Sequence, residues 1–259
     1  MGLVETEDRG PVRHVVMQRV EKRNAMNREL VEALSEAFRE AAADDEVRVV
    51  VVRGAGPMFS SGMDLGGLRD LSDRPETLRS FRSGILATWN LLEEMPKATI
   101  CQIHGGCIGG AMELALAADM RVMAEDAVAG LLETRIGLLP DVGGCSRLPA
   151  VVGVGIAKEL IMTGRLIDGH EAHRIGFANR VAPADSLDTA TDGLCNELLA
   201  CAPVAVGLAK RVIDSAAKPA LAATLEQEVT AQQVCAGSAD FAEGATAFQE
   251  RRQPEFAGR

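Results

Sequence analysis

"VRVVVVRG" (residues 47–54) is the segment that leaves this chain the fewest folding choices. It is β-branched, of strand length, and apolar without a break from Val49 to Val52 instead of alternating, which describes a strand covered on both faces. Such a strand belongs in a parallel sheet, whose crossovers lay helices against it. The flanking sequence supplies both kinds of partner. "VRHVVMQRV" (12–20) is a second β-branched run. "NRELVEALSEAFREAAADD" (27–45) sets Leu30, Val31, Leu34, Phe38 and Ala41 at helical spacing behind Asn27, an N-cap residue. A further helix is expected from Pro75 to about Met95, with Phe81, Ile85, Trp89 and Leu92 on one face and Pro96 ending it. "KATICQIHG" (97–105) reads as another buried strand, and "LALAADMRVMAEDAVAG" (114–130) as the end of a short helix, a strand and a turn. Strands alternating with helices make an α/β fold with mostly parallel pairing. From about Asp185 the strand signals stop, and three helical segments follow, separated at Pro203 and Pro219.

Bulk properties narrow the function. A length of 259 residues with 47% apolar content is ample for a sizeable core. The net charge of −10 argues against nucleic-acid or anionic-membrane partners, which would repel the protein at long range. A small anionic molecule needs only local cations, and "EKRNAMN" (21–27) and "QERRQPEF" (249–256) carry them. The six cysteines, in apolar segments without short paired spacing, fit buried thiols in a reducing compartment. No structural metal is expected. No apolar stretch has the roughly 18 residues needed to span a bilayer, and "MGLVETEDRGP" has no secretory signal pattern. "MGLVET" fits the loose myristoylation pattern, but no basic cluster follows it. These features give an expected cytoplasmic location.

Chemistry concentrates where glycines meet acids. "HGGCIGGAMELALAADMRV" (104–122) is neither a dinucleotide fingerprint nor a phosphate loop. It remains a strand-to-helix turn with bare backbone at Gly109 and Gly110, which either packs tightly or lets a ligand oxygen reach the first helical amides. Glu113 falls on the Gly110 face, one turn deeper, among Met112, Leu114, Ala115 and Leu116. It is either a first-turn acid facing solvent or a desolvated group whose raised pKa suits proton transfer. "GLLETRIGLLPDVGGCSRLP" (130–149) embeds Glu133 and Asp141. Their plain readings are a salt bridge to Arg135 or Arg147 and a turn-forming Asp. "GPMFSSGMDLGGL" (56–68) bares backbone near Gly62 and Met63, with Asp64 read as a turn or cap residue. His170 and His173 lack zinc-helix spacing and are expected at the surface, and Ser60 and Ser61 sit in no nucleophile elbow.

Taken in order, "MFSSGMDL", "IHGGCIGGAMELALAADMRV", "LLETRIGLLPDVGGCSRLPAVVG", "LIMTGRLIDGHEAHRIGFANRV" and "FAEGATAFQERRQPEFAG" resemble the enoyl-CoA hydratase/isomerase (crotonase) superfamily over nearly the whole chain. The resemblance implies an α/β crotonase-like spiral of β-β-α repeats over residues 1–195, then a helical trimerisation region over 196–259. It implies a homotrimer or homohexamer acting on an acyl-CoA, with coenzyme A as part of the substrate and no separate cofactor. The Met63 and Gly110 amides match the oxyanion hole, and Glu113 and Glu133 match the acid pair that adds water across the C2=C3 bond of a 2-enoyl-CoA. Arg23, Ala25 and Ser61 match regions lining the CoA adenine pocket, and Arg251 matches a basic position near its phosphates. Asp141 departs from the hydratase pattern, in which a small residue is usual. Acids at 133 and 141 resemble the dienoyl-CoA isomerases and the 3-hydroxyisobutyryl-CoA hydrolases, although the hydrolases generally lack an acid at the Glu113 position. A double-bond isomerase using Glu133 and Asp141 is therefore the alternative, ahead of a thioester hydrolase or a non-catalytic acyl-CoA binder.

Overall fold

A computed structural model describes residues 2–64 and 78–258. The first residues of the helix expected from Pro75, the Phe81 side chain and most of the 66–81 loop lie outside the described residues.

Val49 to Val52 are all buried in strand β3 (Val49–Gly54), as a two-faced apolar run requires. Strand β2 (Val12–Met17) pairs with it in parallel register, Val15 opposite Val52. Helix α1 (Arg28–Ala43) joins the two, its Leu30 amide capped by the Asn27 side chain at 3.1 Å, and buries Leu30, Val31, Leu34, Phe38 and Ala41. The crossover is that of a βαβ unit. Strand β1 (Val4–Arg9) adds an antiparallel edge to β2. Helix α2 (Leu78–Glu94) buries Ile85, Trp89 and Leu92 and stops before Pro96.

From β4 (Ala98–Ile103) as far as Gly130 the chain alternates between two sheets. Strands β4, β6 (Met120–Ala124) and β9 (Arg180–Ala182) continue the first, in the order β1-β2-β3-β4-β6-β9 and parallel beyond β1. Strands β5 (Gly106–Ile108), β7 (Val128–Gly130) and β8 (Ile167–Asp168) make a second, smaller sheet. The β4–β5 and β6–β7 windings each give one strand to either sheet before a helix follows, within the expected α/β fold. Helix α3 (Gly110–Ala117) lies inside, all eight residues buried, so its first turn faces the site without solvent on any side.

Helices α4 (Gly144–Val152), α5 (Val154–Thr163) and α6 (Gly169–Arg174) complete the windings. After β9 come α7 (Leu187–Leu199), α8 (Pro203–Ala217), α9 (Leu221–Ala236) and α10 (Ala239–Glu250). Helices α9 and α10 fold back over the 3-10 turn Glu133–Ile136. Phe241, Ala236 and Ala245 form a small apolar cluster there with Ile136 and Leu138. No helix among the described residues is long and apolar enough to cross a membrane.

Candidate active site

The glycines after β5 create the first half of the site. Gly109 has φ +56° and ψ −126°, a conformation a side chain would strain, and a Cβ there would stand 2.8 Å from Glu133 Oε1. Gly62, at φ +92°, is crowded in turn: a Cβ would lie 2.4 Å from the Ile108 carbonyl oxygen and 3.5 Å from the Gly110 nitrogen. Two backbones therefore meet side by side, Gly62–Met63 and Gly109–Gly110. The pairing is fixed from below. The Ser60 hydroxyl donates to the Asn24 carbonyl at 2.8 Å and accepts from the Gly62 amide at 3.1 Å. The Met26 amide donates to the Gly62 carbonyl, and the Asp64 amide to the Met26 carbonyl. This register skips the Met63 amide, and Gly110 opens α3, where an amide has no intrahelical partner. Neither amide donates a backbone hydrogen bond among the described residues. Two neighbouring amides without a backbone acceptor among the described residues, one of them at a helix start, suit an oxygen on which negative charge develops.

The acids form the second half. Glu113 is buried, and its Oε1 accepts from the Val142 and Gly144 amides, both at 2.9 Å. Burial pushes its pKa well above the carboxylate range, reinforced by the charges of Glu133, Asp141 and Glu228 and opposed by the Gly144 amide. Glu133 starts the 3-10 turn, and its Oε2 has no hydrogen-bond partner among the described residues. Burial lifts it to about 7, with Asp141 adding to the rise against a backbone amide. Asp141 is also raised to about 7, by burial first, against the Arg82 guanidinium and with the help of Glu228. Its side chain keeps 17% exposure, so this acid retains an open side. Three carboxyl groups holding protons near neutrality in one electrostatic cluster can both give and take a proton.

At the far end of the Met63 backbone, Arg23 and Asn24 both take the left-handed conformation, at φ 53° and 55°. The Ser61 amide donates to the Arg23 carbonyl at 3.0 Å. Arg19 Nη1 donates to the Ala25 carbonyl at 2.7 Å and to Asp64 at 2.6 Å. Arg23, Ala25 and Ser61 are thus brought together. Arg251 caps α10 at φ 55°, and no hydrogen bond or ion pair links it to those three among the described residues.

The structure corrects several sequence readings. Glu113 does not face solvent. Arg147 pairs with Glu93 at 2.7 Å and Arg135 bonds the Thr163 carbonyl, so neither supplies the salt bridge considered for Glu133 or Asp141. Asp64 is an ion-pair partner of Arg19 rather than only a turn residue. Cys201 is exposed, unlike the buried Cys101, Cys107 and Cys195. Arg82, Glu228 and Gln232 went unrecognised as neighbours of the acids. Glu228 and Gln232 share a helix with Glu226, Gln227 and Gln233, so nothing in the sequence pattern sets them apart. His170 and His173 are exposed as expected.

Residues 7–259 match the enoyl-CoA hydratase/isomerase family model. The chain belongs to that family. It is 37% identical over 253 residues to the Homo sapiens protein "Enoyl-CoA hydratase domain-containing protein 2, mitochondrial", covering 96% of this chain and 86% of that one. It is 33% identical over 270 residues to the human "Methylglutaconyl-CoA hydratase, mitochondrial", covering 98% and 85%. The crystal structure of an enoyl-CoA hydratase from Mycobacterium avium subsp. paratuberculosis K-10 superposes with a TM-score of 0.88 at 29% identity, over 99% of each chain. Membership in the enoyl-CoA hydratase/isomerase family makes the chain similar to enzymes of acyl-CoA thioesters.

Proposed function

We propose that the protein is an enoyl-CoA hydratase, adding water across the C2=C3 bond of a 2-enoyl-CoA. The observation that carries the reading is a pair of buried glutamates at the Gly109–Gly110 turn, Glu133 with its Oε1 against Gly109 and Glu113 one turn along the helix that Gly110 opens, both with raised pKa values. The Met63 and Gly110 amides bind the thioester oxygen and stabilise it as the enolate forms. Losing one such donor costs about 10²–10³ in rate. One glutamate takes a proton from the water whose oxygen bonds to C3. The other delivers a proton to C2 on the same face, which completes a syn addition. Glu113, fixed by two amides, is the better-ordered acid. Glu133, whose Oε2 has no partner among the described residues, is the better placed to hold water. Burial, with Asp141 adding to it, raises Glu133 to about 7 and keeps it partly protonated near neutrality.

The adenosine part of the substrate is assigned to Arg23, Ala25 and Ser61, and its phosphates to Arg251. The reading calls for no cofactor beyond the CoA of the substrate, and for no nucleic-acid or membrane partner. Assembly as a homotrimer or homohexamer through residues 196–259, outside a core of 1–195, belongs to the same proposal. So does a cytoplasmic location, while the two human relatives carry "mitochondrial" in their own names.

A second reading is favoured by one observation: Asp141 titrates near 7 beside Glu133. That pair could move a proton between carbons of an enoyl- or dienoyl-CoA and shift its double bond. Assays with crotonyl-CoA, a 3-enoyl-CoA and a 3,5-dienoyl-CoA separate the two. Hydration of crotonyl-CoA lost in Glu113→Gln and Glu133→Gln supports the hydratase, whereas isomerisation lost only in Asp141→Asn supports the isomerase.

A further inference from the structure

The segment from Leu139 to Ser146, a loop that runs into the first turn of α4, is held from two sides by buried carboxylates. Val142 and Gly144 give their amides to Glu113. The intervening Gly143 amide points the opposite way and donates to Glu228 Oε2 at 2.9 Å, while the Ser146 amide donates to Glu228 Oε1 at 2.7 Å. Glu228 sits on α9, 85 residues from Gly143, and is buried. Gln232, one turn further along α9, accepts from the Leu139 amide at 2.9 Å. Arg82 closes the frame. Its Nε donates to the Asp141 carbonyl, its Nη2 donates to the Leu225 carbonyl at 2.6 Å, and the guanidinium lies 3.5 Å from Glu228 and 3.6 Å from the Asp141 carboxylate. Buried charges of this kind persist when paired and hydrogen-bonded, and their removal leaves an uncompensated partner.

We propose that Glu228 and Arg82 are positioning residues for the reaction: from α9 and α2 they lock the 139–146 loop so that it grips Glu113 and keeps the Asp141 carboxyl within reach of Glu133. The proposal rests on the functional reading above for its kinetic half only. Their side chains are buried and spend their hydrogen bonds on backbone and on each other. Both act through the loop, and their charges act on Asp141 with opposite sign, Glu228 favouring its proton and Arg82 its ionised form. Among the described residues, the other titratable groups that feel the Glu228 charge are Glu113 of α3 and, from α4, the Cys145 thiol. Arg147 is turned to Glu93, and Asp240 and Glu243 of α10 are occupied by the tail amides of Gly258 and Glu255 and by Arg252.

The test is a carboxyl ¹³C titration of aspartate-labelled protein, with the Asp141 signal assigned by Asp141→Asn, run beside kcat and KM for 2-enoyl-CoA hydration. Glu228→Gln is expected to move the Asp141 midpoint down from about 7 and Arg82→Gln to move it up, by about one unit each. In both variants kcat falls at least about tenfold while KM changes less than about twofold, because the proton-transfer groups and not the CoA contacts are disturbed. Arg82→Lys serves where Arg82→Gln does not fold: it keeps the charge and loses the fork, so kcat falls with the midpoint in place. Midpoints that move the same way in both Gln variants would mean a loosened loop admitting water, and would overturn the proposal, as would an unchanged kcat. Wild-type protein inert toward every enoyl-CoA would end the hydratase reading alone, since the opposed midpoint shifts are read without turnover.

Discussion

The Gly144 amide donates to Glu113 Oε1 at 2.9 Å, and a Cβ built on Gly144 would stand 3.0 Å from that oxygen and 2.3 Å from Pro140 Cβ. The helix that carries one candidate acid and the loop that carries another are thereby joined at a point with no room for a side chain. Gly144→Ala is expected to push Glu113 off its amide pair and lower kcat by about 10²-fold, within the range ascribed to general acid–base groups. Steady-state kinetics on the purified variant check this. A kcat within twofold of wild type would show that the contact does not set the acid.

Gly109→Ala addresses the oxyanion half. The residue is at φ +56°, and the new methyl would meet Glu133 Oε1 at 2.8 Å. Left-handed strain of about 1–3 kcal/mol is expected together with a displaced Gly110 amide and a kcat loss of about 10²–10³. Thermal melting measures the first and turnover the second. A variant that melts lower but turns over normally would separate Gly109 from the chemistry.

Stability should fall as pH rises through the site's titration. Glu133 titrates at about 7 in the folded chain against an ordinary 4.5, so the folded state holds this proton more tightly than the unfolded one. The resulting stabilisation is complete below 4.5 and is lost as pH climbs through about 7. Glu133→Gln removes the dependence. Its melting temperature relative to wild type is therefore expected to be higher at pH 8 than at pH 5, by at least ~2 °C. Equal gaps at the two pH values would contradict a raised Glu133.

Away from the site, Arg147 is fully buried and bonds Glu93 at 2.7 Å, with Lys218 completing the pair at 2.5 Å. Truncation in Arg147→Ala leaves Glu93 short of a partner and opens a void, for a loss of about 3–5 kcal/mol in urea unfolding. A loss below about 1 kcal/mol would mean that Lys218 alone suffices.

The legible parts of this fold were those decided by local pattern. Val49–Val52 announced a two-faced strand because nothing polar interrupts them, and Asn27 with Leu30 to Ala41 marked α1 because cap and periodicity agree. Strand β1 was missed because "VETEDR" is an exposed edge with five of six residues out of the core, so it carries no buried periodicity. Strands β8 and β9, two and three residues long, are too short to show a period. Glu113 and Glu133 stood out as acids among apolar residues. Glu228 did not, because it lies 87 positions beyond Asp141 on a helix whose polar residues resemble any solvated face, and only tertiary folding turns it onto the Gly143 and Ser146 amides. Asp64 likewise gained its meaning from Arg19, 45 positions earlier.

The most direct test of the central claim is crotonyl-CoA hydration followed by loss of the conjugated enoyl-thioester absorbance, in wild type, Glu113→Gln and Glu133→Gln. The account predicts turnover by wild type and a fall in kcat of about 10²–10⁴ in each variant with acyl-CoA binding retained. Hydration that survives Glu113→Gln unchanged, or a wild-type protein that binds the thioester and never hydrates it, would contradict it.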